Sequence, residues 1–540
     1  MSTEMQAYND QLRRQQEAAN AMRQTLVRSQ FDEGGNFISD QNLLLASIQE
    51  AVSNDPIYAA MGEHGLATAM IHIQAIKDFA EEHGGQMPSD MLLASARQEL
   101  ENMYVDKAVG GKDMILSAME AQSVATSEGV PTIVTTAQVS LPRLLASQTL
   151  DVVTYVSGTR SSELEYFEIE TVAASDLGDY KKGEKIGLLD GGQYSNLVQH
   201  FAFPEKGDGT KKSFTFTSQT DTPAKKKLPI VKKSVQVYIA KELAASDQGN
   251  GKLFGTFHQG ETEITVNGDV TYDTGVVVVT ATEALASDVE IEVEIQINIE
   301  AAPELIPEIS QVASSFKLRP ALRVLRSTSS LQSQWKMSSD LNIDLRSLNL
   351  TSLRDHLAAQ DDLHVIQKLA WLAKTLHTID CAPKAGSNDN TIEGFELVRV
   401  QLNEVSDDMM TKSEDSGLEG IYCTREAAAF FKNTPSFRFA KGYKQQNRIH
   451  FVGIAFDRYR IYEVPQKIAE LKPGEAVGYG KSSIEGRAPY LKGDINAPTL
   501  IDHEINKGLT KSDTIMANGY SALNPKHGQN LICKLKFINQ

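Results

Sequence analysis

The chain has little of what marks a chemical site or a membrane segment. Its 540 residues include three cysteines, Cys381, Cys423 and Cys533, far apart and without a Cys-x-x-Cys pair. That excludes a disulfide framework and a structural zinc site of the usual spacing, and it fits synthesis in a reducing cytoplasm. No apolar run reaches the roughly 18 residues that a bilayer demands, so no membrane association is expected. Met1-Ser2-Thr3-Glu4 opens without a basic stretch followed by an apolar one, so no secretory signal is read. Aromatic residues make up 7% of the chain, and only two of them are tryptophan. The histidines show no metal spacing. His356 and His364 flank Asp361 and Asp362 at eight residues' distance, whereas helix ligands pair at i,i+4. This group reads as a solvated polar stripe. A Gly-x-Ser-x-Gly elbow is absent, and the carboxylates Asp407-Asp408 and Glu414-Asp415 read as solvated loop residues. The expectation is no enzyme, with no catalytic residue, no cofactor and no metal.

What is present is charge, unevenly placed. Acidic residues outnumber basic ones 70 to 53, for a net charge of −17. Residues 1–120 hold 18 acidic and 8 basic residues, so −10 of the total lies there. A chain that repels phosphate is poorly suited to gripping nucleic acid as its main task. Lys225-Lys226-Lys227 and Lys232-Lys233 lack interleaved aromatics and read as surface charge. Gly474–Ser482 ends in Gly-Lys-Ser but is one residue too long for a phosphate loop, and no strand leads into it. It reads as an exposed turn, as do Gly207–Ser213 and Gly249–Lys252.

Along the chain, residues 1–125 read as an acidic helical segment, separable from the remainder of the chain, with Ser, Asp and Gly punctuating helix ends. Residues 126–150 read as an arm of extended or short helical pieces. Val152–Val156 and Glu163–Ile169 read as two arms of a hairpin around Gly158, opening a region that runs to 204. Asp176–Ser195 reads as a long exposed loop. Residues 205–300 read as an inserted antiparallel sandwich. Its clearest strand is Val289–Ile299, where Val and Ile alternate strictly with Glu, Gln and Asn. Residues 301–387 contain Gln334–Met337, read as strand, and a long helix at about 352–379. In 388–490 strands and helices alternate: Val398–Leu402, Ile421–Cys423, Ile449–Ala455 and Tyr459–Val464 as strands, Thr424–Phe431 as helix. Residues 491–540 end on the alternating stretch Leu531–Ile538.

This order resembles a tailed-bacteriophage major capsid protein of the Hong Kong 97-like fold, nearest the T-even-like branch. Four strings carry the resemblance: Leu141-Pro142-Arg143-Leu144-Leu145 with Val152–Thr154, Leu331–Met337 with Asp340-Leu341, Ile421–Ala429, and Val477–Ser483 with Ala488-Pro489-Tyr490. It implies an α+β fold with an N-terminal arm, an extended loop, a peripheral domain built on a long spine helix, and an axial domain at 388–490. The implied function is a head protein that assembles into hexamers and pentamers of an icosahedral shell around double-stranded DNA, without sequence-specific binding. The implied partners are other copies of the chain, a portal, a scaffold and decoration proteins, and the implied location is the virion.

The resemblance also implies roles for residues. Leu141 and Arg143 on the arm, and Lys181, Lys182 and Lys185 on the loop, are expected to touch neighbouring subunits. The acidic segment is expected to act as an internal scaffold, removed after Glu120 or Glu128. Two other readings remain open from the sequence: a virion binding or adhesion protein that recognises through the inserted β domain, and an encapsulin-like cargo compartment.

Overall fold

The computed structural model describes residues 3–538 apart from 33, 35, 84, 105–128, 158–162, 177, 188–191, 193, 224, 261, 342–344, 382–390, 483–486, 504 and 506–507. The chain forms two compact units, Met1–Glu168 together with Ser315–Gln540, and Ile169–Ser314. Both the α-helical and the β-strand content are large, so the fold is mixed α+β.

The first helices are α1 (Thr3–Leu26), α2 (Gln41–Asn54), α3 (Pro56–Ala60), α4 (Gly65–Glu82), α5 (Asp90–Tyr104) and α6 (Gly129–Leu145). Their starts follow local chemistry. Asp40 caps α2 by accepting the N–H of Asn42 at 2.8 Å, and Asp55 caps α3 ahead of Pro56, accepting the N–H of Ile57 at 2.9 Å. The Gln- and Arg-rich α1 is amphipathic after all, because Ala19, Met22 and Leu26 lie in the core. The arm expected at 126–150 is largely helical, since α6 is one continuous helix with Pro142 near its end.

The acidic segment is not separable from the body. Met22, Leu26, Tyr58, Ile73, Leu92 and Leu100 share one apolar core with Leu141, Val152, Val365, Leu369 and Tyr490. The physical reason is the width of the apolar stripes: helices with such faces need an outer layer to bury them.

After β1 (Val153–Tyr155), the chain leaves this unit along β2 (Leu164–Ala173). Ile169–Ser314 then carries β3 (Val198–Ala202), β4 (Ser213–Thr217), β5 (Gln236–Ile239), β6 (Glu242–Asp247), β7 (Lys252–Gln259), β8 (Thr262–Thr271), β9 (Val276–Ala281) and β10 (Ile291–Gln296). It returns along β11 (Ile309–Leu318), which pairs with β2. The insertion is therefore wider than 205–300, because flanking residues such as Tyr180, Tyr194 and Leu305 pack in the same core. Its eight strands form one antiparallel sheet in the order β3-β10-β5-β6-β7-β8-β9-β4, not a sandwich of two sheets. Phe214 and Phe216 from one edge strand meet Val237, Ile264 and Val293 from other strands in a single core, so the sheet curls over itself. β1 and β2 do not pair as a hairpin; β1 runs parallel to a distant strand, Val153 opposite Tyr490.

The returning chain forms β12 (Pro320–Ser330), α7 (Leu331–Leu341), α8 (Leu345–Leu372), β13 (Leu376–Asp380), α9 (Thr391–Ser413), β14 (Gly420–Thr424), α10 (Arg425–Lys432), β15 (Arg438–Phe439), β16 (His450–Ala455), β17 (Tyr459–Val464), β18 (Glu475–Tyr479), β19 (Tyr490–Asp502), β20 (Thr510–Leu523) and β21 (Ile532–Ile538). At 1.5 Å per residue α8 is about 42 Å long. It starts earlier than 352 and stops at Leu372, because Leu376–Asp380 pairs in parallel with β21 instead. Two segments read as strands are helical. Gln334–Met337 lies in α7, and Val398–Leu402 lies in α9, where Val398, Leu402, Val405 and Met409 share the buried face.

Two sheets organise this unit. One has the order β1-β19-β20-β12, and α8 lays Leu353 and Leu357 on Ile515 and Ala517 of β20. The other has the order β13-β21-β18-β14-β17-β16-β15, drawing its first two strands from outside 388–490. Gly474–Ser482 is no exposed turn, since β18 is buried along its whole length between β21 and β14 of that sheet. A Cβ on Gly478 would stand 2.7 Å from Leu418 Cδ1 and 2.8 Å from Cys533 Sγ. That glycine serves packing, not phosphate.

Candidate functional site

Leu141 and Arg143, expected to face neighbouring subunits, point inward. Leu141 is fully buried, and Arg143 is engaged by its own chain. Its Nη2 donates to Asp494 Oδ2 at 2.8 Å and approaches Glu99 Oε1 at 3.3 Å. Asp494 Oδ1 accepts from Arg323 at 2.9 Å; Arg323 also pairs with Asp361, and Lys492 lies 3.8 Å from Asp361. Three carboxylates and three cations thus join α5, α6, α8, β12 and β19 in one buried hub. Glu99 and Asp494 have no exposed side-chain surface. Burial pushes the Glu99 carboxyl up to about 8, against the pull of Arg143. Burial also works against ionised Asp494, but Arg143, Arg323 and Lys492 together hold its carboxyl below the usual range. Asn102 adds a neutral tie from α5, its Nδ2 donating to Ile495 O at 2.7 Å.

Two further clusters lock the same unit. His72 on α4 accepts from Tyr58 O–H at Nδ1 (2.8 Å), and its Nε2–H donates to Ala137 O (3.0 Å). Gln138 O is beside it too, a carbonyl freed because Pro142 has no N–H to donate. Burial lowers the His72 imidazole to about 4, so it stays neutral. Asp151 accepts from Arg460 at 2.8 Å and from the hydroxyls of Tyr462 and Tyr479, fixing the turn after α6 to β17 and β18. Asp362 on α8 holds the same turn through Ser147 Oγ at 2.7 Å and Gln148 N–H at 3.1 Å. Neither Asp361 nor Asp362 belongs to a solvated stripe, although His356 and His364 are exposed.

The sequence held one signal for this hub. Glu99 interrupts the apolar stripe Leu92, Ala96, Met103 on α5, and a carboxylate there must either be paired or neutral. Asp494, Arg323 and Asp151 gave none, because their partners lie on other elements, far along the chain.

The surface has its own features. Lys181 and Lys182 are exposed and Lys185 is half-buried. An open cleft of about 660 Å³ in the larger unit has Asp78, Glu81 and Glu82 on one wall and Lys441, Lys444 and Arg460 on another. Among the described residues no group of His, Cys, Asp and Glu could hold a metal ion, and no helix is long and apolar enough to cross a membrane. Burial raises the thiols of Cys381 and Cys533 to about 12 and that of Cys423 further, so all three are held as thiols at neutral pH. Glu120 and Glu128 lie outside the described residues.

Residues 3–147, which span α1–α6, match a family model described as a domain of unknown function, DUF8615. The match runs past the expected boundary at 125 and includes the helix that carries Arg143. Over 154 residues the chain is 30% identical to Protein IncB of Escherichia coli, covering 28% of this chain and 73% of that protein. The chain belongs to the IncB family. Among solved structures, it is similar to the capsid of jumbo bacteriophage PhiKZ, at 8% identity and a TM-score of 0.34 over 72% of this chain and 92% of that one. It is also similar to the capsid of Myoviridae phage XM1, at 7% identity and a TM-score of 0.29 over 57% and 87%. The SrpI encapsulin of Synechococcus elongatus is similar at 8% identity and a TM-score of 0.29 over 42% and 77%.

Proposed function

We propose that the chain is the major capsid protein of a tailed bacteriophage, of Hong Kong 97-like fold and T-even-like branch. It would assemble with copies of itself into hexamers and pentamers of a shell around double-stranded DNA. The observation that carries this reading is where the tryptophans are. The chain has two, and both lie in the larger unit's surface, Trp335 on α7 at 69% exposure and Trp371 on α8 at 71%. Leu322 and Val324 are also exposed, on β12, which pairs only with β20 among the described strands. A finished monomer rarely leaves such groups in water beside an open strand edge, whereas a subunit covers them on assembly.

The connectivity adds support: a paired two-strand arm carrying an inserted unit, a long helix on an antiparallel sheet, and a second mixed sheet. The portal, scaffold and decoration partners and the virion location belong to the same proposal. So does cleavage after Glu120 or Glu128, with one change. A cut there would nick the chain without freeing α1–α5, whose apolar faces lie in the shared core.

Electron microscopy of the purified protein, with sizing and tryptophan emission, tests the reading. Closed or tubular particles with blue-shifted emission are expected. Monomers at every concentration, with emission typical of water-exposed indole, would refute it.

A further inference from the structure

Ile169–Ser314 is acidic overall, with 22 acidic and 13 basic residues, yet several of its lysines are gathered. Residues 180–186 make a tight turn: Gly183 N–H bonds Ala173 O at 2.7 Å, Ala173 N–H bonds Glu184 O at 2.9 Å, and Glu184 N–H bonds Lys181 O at 3.0 Å. Gly183 has φ +87°, a conformation that glycine adopts without strain. Beneath the turn, Tyr180 and Tyr194 are buried edge to face, with centroids 5.7 Å apart. The lysines are therefore carried on a fixed turn. Asp176 brings a second set alongside, accepting the N–H of Lys182 at 2.6 Å while its other oxygen stands 3.3 Å from Lys226 Nζ. Lys181, Lys182, Lys225 and Lys227 are exposed, and among the described residues no carboxylate pairs with their ammonium groups.

A matching surface lies on the larger unit. α4 ends in Asp78, Glu81 and Glu82, all exposed and none in an ion pair among the described residues. At i, i+3 and i+4 these carboxylates repel one another, and the C-terminal end of a helix disfavours negative charge. Lys441 and Lys444 line the same cleft without reaching them.

We infer that the lysine turn at 181–185, with Lys225–Lys227, docks on the acidic end of α4 in a second copy of this chain. Each subunit carries both halves, so the contact is one that successive copies in a ring or shell repeat. The inference rests on the shell reading. A nucleic-acid backbone is the rival occupant, but it must approach a chain of net charge −17, and among the described residues the patch offers no exposed ring for stacking.

The test is a charge swap in the full chain, with assembly followed by light scattering and folding checked by circular dichroism. One variant carries Lys181→Glu, Lys182→Glu, Lys225→Glu and Lys227→Glu; a second carries Asp78→Lys, Glu81→Lys and Glu82→Lys; a third carries all seven changes. Each partial set is expected to raise the concentration needed for assembly about tenfold, and the full swap to return it to within about threefold of the natural chain. The inference is overturned if the natural chain assembles and the lysine set leaves that unchanged, or if the full swap recovers nothing. Loss of duplex DNA retention with assembly unchanged assigns the lysines to nucleic acid and also overturns it. A natural chain that never assembles removes the shell reading itself, a separate outcome.

Discussion

Replacing Arg143 by Met should cost stability in a pH-dependent way, and the hub gives the size. Arg143 serves two carboxylates with no exposed surface, but unequally. Asp494 keeps Arg323 at 2.9 Å when Arg143 is gone, whereas Glu99 loses the one cation that contacts it directly among the described residues. At pH 6 the Glu99 carboxyl, raised to about 8, is protonated with or without Arg143. The loss is then one charge-assisted hydrogen bond to Asp494, about 1.5–3 kcal/mol. At pH 9 Glu99 is ionised in the natural protein, so removing Arg143 forces this buried carboxyl either to stay charged without a partner or to take up a proton, and the cost should rise to about 3–5 kcal/mol. The sign follows from linkage. A carboxyl raised from 4.5 gives stability that is complete below 4.5 and lost as pH rises through about 8. Losing Arg143 raises that carboxyl further and extends the loss to higher pH. Glu99→Gln in the same chain should erase the pH-dependent part, leaving a double variant no worse at pH 9 than at pH 6. Urea unfolding followed by circular dichroism at the two pH values measures all four corners. Equal cost of Arg143→Met at both pH values, or a Gln variant that keeps the slope, would show that Glu99 is not what Arg143 compensates.

The other predictions concern neighbouring clusters and the inserted unit. His72, lowered to about 4 by burial, contributes stability present above 6.5 and lost as pH falls through about 4, so His72→Gln should flatten the acid limb of a melting-temperature profile. Asp151→Asn leaves Arg460, Tyr462 and Tyr479 short of their shared acceptor and should cost about 2–3 kcal/mol by urea titration. Phe214, fully buried in the curled sheet, should cost that unit about 3–5 kcal/mol when changed to Ala. In calorimetry one transition should move while the other stays in place.

Several elements were legible because their pattern is local. The Val–Glu alternation at Val289–Ile299 marks β10, and Tyr459–Val464 is found as β17 with the same bounds. The helix read at Thr424–Phe431 is α10, shifted by one residue at each end. The failures share a cause. Val398, Val400 and Leu402 fit a period of two as well as Val398, Leu402, Val405 and Met409 fit a helix. Burial separates the readings, because Val400 is 52% exposed while the helical set is buried. A buried strand such as β18 looks like a glycine-rich turn when its glycines exist to let neighbours approach. The candidate site was less legible still. Lys181 and Lys182 are on the surface as expected, but Leu141 and Arg143 are interior, and the hub they join was unseen.

By itself the sequence determined the repeat of apolar residues in each segment, the capping residues and the acidic head. These depend on residues within a few positions of one another. The tertiary structure alone decided that β1 pairs with β19 rather than with β2, that the acidic helices join the body's core, and that Glu99, Arg143 and Asp494 meet. Strand pairing and the cost of a buried charge depend on what non-local packing places alongside. A carboxylate's neighbours in sequence do not show whether it faces water or an arginine on another helix.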